Sequence, residues 1–452
     1  MDQIRATEYG YLDALGHVYL DYTGSGLPAQ CQIRAHAERV IAGCFGNPHS
    51  DNPTSSAATS LVEDTRQAIL AFFNASPDEY AVVFTPNATG ACRLVGEAYA
   101  FGPSAGLVLT GDNHNSVNGI REYARARGGG VRLVPMTPPD LRVREEDLRA
   151  ALTGSSGLLA FPAQSNFTGV QHPLAWVDLA HEMGYDVLLD AAAYVPANRL
   201  DLSETHPDFV PVSWYKVCGY PTGVGSLIAR REALARLRRP WFAGGTIKTV
   251  SALGGWHVLA EDETAFEDGT LNFLSIPDVA VGLGWVAGVG IDAVHDHVAS
   301  LTGWLIDGLL ALRHGTGVPL IRLYGPADVK ARGGTIAFNF LTPEGTIVDE
   351  RDVARAASAA GISLRTGCFC NPGAGESAFE IDETLLMGPI EHDGRTLDEY
   401  LSLLGLPSGG AVRVSFGLPS TLGDARRFVE FAVETYLDRV PACEGLEPRT
   451  RC

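Results

Sequence analysis

Lysine is scarce in this chain: Lys216, Lys248 and Lys330 are the only three among 452 residues. Any chemistry that needs a side-chain amine must use one of them. Positive charge is in deficit as a whole. The 34 basic residues face 53 acidic ones, a formal net charge of -19. That argues against nucleic acid or an anionic membrane as partner, because both need a basic face. The first residues, MDQIRATEYGYLDALG, hold no apolar stretch behind a basic start and do not read as a signal peptide. The longest apolar run, Val279 to Ile291, is bounded by Asp278 and Asp292. It falls short of the ~20 residues a membrane-spanning helix needs, so a buried, glycine-rich core helix is expected. The cysteines at 31, 44, 92, 218, 368, 370, 443 and 452 are scattered, which argues against a disulfide framework. Cys368 and Cys370 are too close for a CxxC pair, and no Cys/His set has zinc spacing, so no metal site is expected. The cytosol is the expected compartment. There are no internal repeats and no low-complexity segment.

What is present is an alternation. Apolar runs at 81–85, 106–111, 131–135, 157–162, 186–190, 209–214 and 223–229 read as strands. Helix-period stretches such as LVEDTRQAILAFF and PLAWVDLAHEMG lie between them. This predicts an α/β fold with a mainly parallel, seven-stranded sheet covered on both faces. After about residue 280 the pattern changes. Helices near 281–313 and 348–360, strands near 319–323, 334–340 and 411–416, and a helix through 421–437 predict a smaller α+β lobe. The expected division is a large domain over 18–275, with 1–17 and 276–452 forming the small one. The tail from Pro441 reads as frayed.

Five polar sites each follow a different predicted strand. Lys216, in VSWYKVCGYPTG, offers an amine that could carry an aldehyde cofactor if it is kept partly unprotonated. Asp190 ends the strand DVLLD, where a carboxylate could sit against the pyridine nitrogen of pyridoxal phosphate. Ala88, Thr89 and Gly90 open a helix, whose free N–H groups suit a phosphate. His114, in GDNHNSVNG, could stack on a cofactor ring and move protons; Asn166, in QSNFTGV, could donate to a phenolate oxygen. Each has a plainer reading as a cap or turn residue. In a parallel sheet, however, all five converge on one edge, where a ligand crevice belongs.

The set NATG, DNH, SNFTG, LLDAAA, SWYKVCGYPTG, FEDGT and RTGCFCNPGA resembles the class V aminotransferase and cysteine desulfurase group of fold-type I pyridoxal-phosphate enzymes. The nearest likeness is to the desulfurase domain of molybdenum cofactor sulfurases. The resemblance runs from VYLDYTG to the last helix. It implies that Lys216 carries the cofactor, Asp190 holds its ring nitrogen, His114 stacks on the ring and Asn166 donates to the phenolate. Ala88, Thr89 and Ser213 would contact the phosphate. Thr270 would reach the phosphate of a partner subunit, which implies a homodimer with shared sites. Arg413 would pair with the substrate carboxylate. Cys370 would attack the substrate sulfur and carry a persulfide, with Arg365 as a neighbour that lowers its pKa or helps bind substrate. Loops 43–56 and 241–252 would set specificity.

The sequence also departs from these relatives. Tyr215 stands where simpler desulfurases have histidine, and Ala193 where they have a glutamine near the cofactor; both changes look like the sulfurase branch. Gly375 replaces that branch's third cysteine, and 452 residues leave no room for its C-terminal domain. The first expectation is therefore a desulfurase that leaves alanine and passes sulfur to a protein or small-molecule acceptor. The second is a C–S lyase, decarboxylase or epimerase acting on an S-substituted cysteine or another amino acid, without a persulfide.

Overall fold

A computed structural model describes residues 1–381 except His49 and Ser155, residues 408–441, and isolated positions 384, 398, 399, 401, 445–447 and 449. Most of the tail expected to fray after Pro441, and His49 of the 43–56 loop, lie outside them.

The seven predicted strands all form. They are β1 (Tyr80–Thr85), β2 (Ala105–Thr110), β3 (Val131–Val134), β4 (Ser156–Pro162), β5 (Tyr185–Asp190), β6 (Phe209–Ser213) and β7 (Gly225–Arg230). They make one sheet in the order β1-β7-β6-β5-β4-β2-β3. Strand β7 is antiparallel to both its neighbours; the other six run in one direction. The alternation of side chains explains why these runs are almost wholly apolar, since each face meets a core of its own. On β1, Tyr80, Val82 and Phe84 join the cluster that includes Ile69 and Leu70 of helix α1 (Pro53–Phe72). Ala81 and Val83 point the other way, onto Ala91, Leu94 and Val95 of helix α2 (Ala88–Ala98).

Beyond β6 the chain makes one short helix, α3 (Trp214–Cys218), which carries Lys216. Gly219 stops it with φ 74°, and a Cβ there would lie 2.1 Å from the carbonyl carbon of Leu27, so only glycine fits. The expected glycine-rich core helix is α4 (Ile276–Val289), which buries Ile276, Val279, Leu283 and Val286. It approaches α3 closely because Gly282 lacks a side chain; a Cβ there would sit 2.6 Å from that of Cys218. At Gly290 the chain bends by 71° into α5 (Ile291–Ala311). Among the described residues no single helix is long and apolar enough to cross a membrane.

The second sheet is four-stranded and antiparallel. It contains β8 (Ile321–Tyr324), β9 (Thr335–Phe340), β10 (Arg365–Gly367) and β11 (Ala411–Ser415), in the order β8-β9-β11-β10. Helix α6 (Glu350–Ala359) precedes β10, and the short helix α7 (Pro372–Ala378) follows it. Phe338, Phe340 and Val414 pack with Leu305 of α5 and Phe428 of α8 (Leu422–Tyr436) in a separate core. The N-terminal segment runs beside this sheet as half of a separate two-stranded ladder. Val18 and Tyr19 pair with Ile362 and Ser363, and Asp21 bridges to Ser415. That crossing brings the loops around β10 and β11 against the C-terminal edge of the large sheet.

Candidate active site

Six of the seven large-sheet strands end on the same edge, so the turns after β1, β2, β4, β5 and β6 meet there. They enclose a cavity of about 190 Å³ lined by Ala88, Thr89, His114, Asn166, Asp190, Ser213 and Lys216, among others. The convergence expected from the strand pattern is therefore realised for all of these residues.

Each is placed by local structure. Asn87 caps α2, its side chain accepting from Gly90 N–H at 2.9 Å. The Ala88 N–H donates to Ser213 Oγ at 2.9 Å, which ties the helix start to the end of β6. Thr89 and Ser116 are joined through their hydroxyls at 2.7 Å. A helix N-terminus with two hydroxyls beside it is a ready anion site. Asp190 ends β5, its Oδ1 accepting from Ala192 N–H at 3.0 Å. His114 caps a short helix: Nδ1 accepts from the Ser116 N–H at 3.1 Å, which leaves the proton of the neutral ring on Nε2. Burial, then the nearby Lys216 ammonium, push its pKa below the usual histidine value. Burial likewise pushes Lys216 below the usual lysine value, against the pull of Asp190. Lys216 is the only lysine in the cavity; Lys248 pairs with Glu261 at 2.7 Å on an exposed hairpin.

Other expected residues lie elsewhere. Thr270 is exposed, lies outside this cavity and accepts from Asn47 Nδ2 at 3.5 Å. Arg413 is 2% exposed. It donates to Asp21 Oδ1 at 2.8 Å and to the Asn166 carbonyl at 2.9 Å, and it lies over the Phe369 ring at 4.8 Å. Arg365 was expected beside the Cys370 thiol. Its guanidinium is held on Asp21 Oδ2, at 3.0 and 2.7 Å. The physical reason is register: β10 places it opposite Arg413, and the intervening carboxylate collects both cations.

Cys370 is exposed, on a loop fastened to the cavity rim. Its carbonyl accepts from Asn115 N–H at 2.7 Å, and the Phe369 carbonyl accepts from Asn166 Nδ2 at 2.8 Å. Asn371 is fully buried and donates to the Asp112 carbonyl at 2.7 Å and to Asn166 Oδ1 at 2.8 Å. Phe369 stacks near Phe167, centroids 5.0 Å apart. Phe369 and Cys370 both hold left-handed φ values, 56° and 54°. Each such residue costs about 1 kcal/mol, which these contacts offset.

Reasoning from sequence had assigned no role to Asp21, Asn371 or Gln164. Asp21 is a lone carboxylate in VYLDYTG, and Asn371 precedes a proline that opens a helix; either feature could have flagged it. Gln164 carried no local signal.

The cavity fits pyridoxal phosphate on three observations: one buried amine whose ammonium form is disfavoured, an imidazole whose Nδ1 accepts a backbone N–H, and a hydroxyl-flanked helix start for the phosphate. With the large sheet and its companion lobe, this is the architecture of a fold-type I pyridoxal-phosphate enzyme. More narrowly, the chain belongs to the aminotransferase class-V family, whose model matches residues 18–428. It is 35% identical to the molybdenum cofactor sulfurase of Arabidopsis thaliana and 34% identical to that of Homo sapiens. Each match covers 96% of this chain but only 58% and 51% of the relative, so the chain spans a little over half the length of those proteins. Solved structures of the same fold include a cysteine desulfurase from Thermococcus onnurineus, with TM-score 0.79, 24% identity, and 96% and 97% of the two chains covered. Another is a cysteine desulfurase of Escherichia coli, with TM-score 0.76, 22% identity, and 96% and 98% covered.

Proposed function

We propose that this enzyme takes sulfur from free cysteine, with Cys370 receiving the atom as a persulfide and alanine as the other product. The docking of the Cys370 loop onto the turns that carry His114 and Asn166 supports this reading, because it brings an exposed thiol to the rim of the Lys216 cavity. The names of the relatives agree with sulfur mobilisation.

When bound, the cofactor supplies a protonated ring that absorbs the electrons released at the substrate α-carbon. The protein's own residues do the rest. Asp190 holds the ring nitrogen protonated. The start of α2 with Ser213 would hold the phosphate, and the His114 ring would flank the cofactor. Lys216, with its ammonium disfavoured by burial, would hold the cofactor and, as a free amine, would move the α-proton. Arg413 and Arg365, already gathered on Asp21, bind the substrate carboxylate. The Cys370 thiolate would attack the substrate sulfur and form the S–S bond as the carbon–sulfur bond breaks; that electron pair stays with the β-carbon, which takes a proton to become the methyl of alanine, and Cys370 is left as –S–SH. The position of Thr270, outside its own cavity, suits a homodimer in which it serves the partner's phosphate. The acceptor is a protein or small molecule, and the relatives' name suggests the molybdenum cofactor.

Incubation with cysteine tests the reading. The wild type should form alanine and protein-bound persulfide. Cys370→Ala should lose both while keeping the visible absorbance of cofactor on Lys216. Full alanine formation by Cys370→Ala would overturn it.

A further inference from the structure

Asn166 is the residue expected to donate to the phenolate oxygen of the cofactor, and its carboxamide is shared with the cysteine loop, which takes its oxygen and one of its two Nδ2 hydrogens. Its Oδ1 accepts from Asn371 at 2.8 Å and its Nδ2 donates to the Phe369 carbonyl at 2.8 Å. It fastens the cysteine loop. Two residues earlier, Gln164 is 4% exposed and lines both the Lys216–Asp190 cavity and the chamber on the other side of Lys216. The direction of its amide follows from its neighbours. Asn198 Nδ2 donates to the Tyr194 carbonyl at 2.8 Å, so Asn198 Oδ1 is an acceptor and takes Gln171 Nε2 at 3.0 Å. Gln171 Nε2 and Asn198 Nδ2 then both donate to Gln164 Oε1, at 3.1 and 3.4 Å. Gln164 Nε2 makes no hydrogen bond to another residue among the described residues, and the side chain borders the Lys216–Asp190 cavity as well as the second chamber. Ala193, which lines the same cavity, has no polar group with which to supply a donor.

We propose that Gln164 is the hydrogen-bond donor to the phenolate oxygen of the cofactor, and that Asn166 serves the cysteine loop instead. This rests on the pyridoxal-phosphate reading. A donor stabilises the phenolate most when the neighbouring cofactor nitrogen is unprotonated, so it lowers the pH at which the visible chromophore titrates.

Absorbance titration and cofactor affinity of the reconstituted enzyme separate the two claims. Wild type that forms a visible chromophore absent from Lys216→Ala supports the cofactor reading; no chromophore overturns that reading itself. Gln164→Met should titrate at higher pH than wild type and bind cofactor roughly tenfold more weakly, the loss of one hydrogen bond to a charged group. Gln164→Glu keeps the acceptor for Gln171 and Asn198 but loses the donor, and should shift in the same direction. Asn166→Ala should leave the titration in place and quicken alkylation of Cys370. A wild-type titration in both Gln164 variants, with the shift in Asn166→Ala, overturns the proposal.

Discussion

Arg365 and Arg413 stand directly opposite one another on β10 and β11, with the carboxylate of Asp21 between their guanidinium groups. Like charges across a ladder repel, and Arg413 is almost wholly buried, so Asp21 is what makes the pair tolerable. Gly24 is packed against the same carboxylate; a Cβ there would lie 2.5 Å from Asp21 Oδ2. If the two arginines bind the substrate carboxylate as proposed, that carboxylate shares or contests the position of Asp21.

Asp21→Asn should therefore destabilise the protein. Removing one partner of a buried ion pair costs about 3–5 kcal/mol. An amide oxygen still accepts one of the hydrogen bonds, so about 2 kcal/mol is the expected loss in chemical denaturation. Added carboxylates, cysteine or 3-mercaptopropionate, should restore stability more in the variant than in the wild type. A variant as stable as wild type and indifferent to carboxylates would show that the two arginines need no anion.

Lys216→Met removes a desolvated amine and should stabilise the cofactor-free protein near neutral pH by about 1–2 kcal/mol. The sign follows from linkage. The folded-state pKa is depressed below the usual lysine value, so between the two values the unfolded chain binds more protons and wild-type stability rises with pH. Below the folded value the penalty is present in full. The difference between variant and wild type should shrink as pH climbs toward 10.5, the ordinary lysine value. Urea midpoints measured across that range check it, and a gap that widens with pH would contradict the depressed value.

Asn371→Ala should free the cysteine loop. The substitution deletes two donated hydrogen bonds and the one its Oδ1 accepts from Ala374 N–H at 3.2 Å. Each is worth about 1 kcal/mol, and two left-handed residues then lose their support. The expected result is faster alkylation of Cys370 together with slower persulfide formation from cysteine, because thiol access improves while its placement is lost. Unchanged alkylation, followed by mass spectrometry of the Cys370 peptide, would mean that the Asn115 and Asn166 contacts suffice.

The large sheet was legible because its strands are buried on both faces and so appear as short apolar runs separated by turns. Lys216, Asp190, His114 and the start of α2 were legible for the same reason, each lying at the end of such a run or within four residues of it. Gln164 also follows a strand, but what fixes its amide is Asn198 and Gln171, and that three-way arrangement exists only in the fold. Arg365 was legible as a residue near the cysteine loop, but its ion pair with Asp21, 344 residues away, was not, because strand register alone creates it. Asn371 looked like a helix cap, which it is, but its two donated bonds reach turns more than 200 residues earlier.

Gly373 and Gly375 sit two residues apart in α7, and the structure predicts opposite outcomes for them. A Cβ on Gly373 would lie 2.2 Å from the Gly111 carbonyl oxygen, so Gly373→Ala must push the helix off the large sheet, at about 1–3 kcal/mol. A Cβ on Gly375 meets only the Phe167 ring, at 3.9 Å, an ordinary contact. Its place inside the helix also means that a side chain removes glycine's conformational freedom in the unfolded chain. Gly375→Cys, which restores the third cysteine expected from the sulfurase branch, should fold with stability unchanged or raised by up to ~0.5 kcal/mol. If the third thiol were needed for sulfur transfer, the variant would gain persulfide turnover; if Cys370 acts alone, as proposed, turnover should stay within about twofold of wild type, roughly 0.4 kcal/mol. Paired denaturation curves and persulfide assays on the two variants decide both points, and a Gly375→Cys protein less stable than Gly373→Ala would show that α7 packs differently against Phe167.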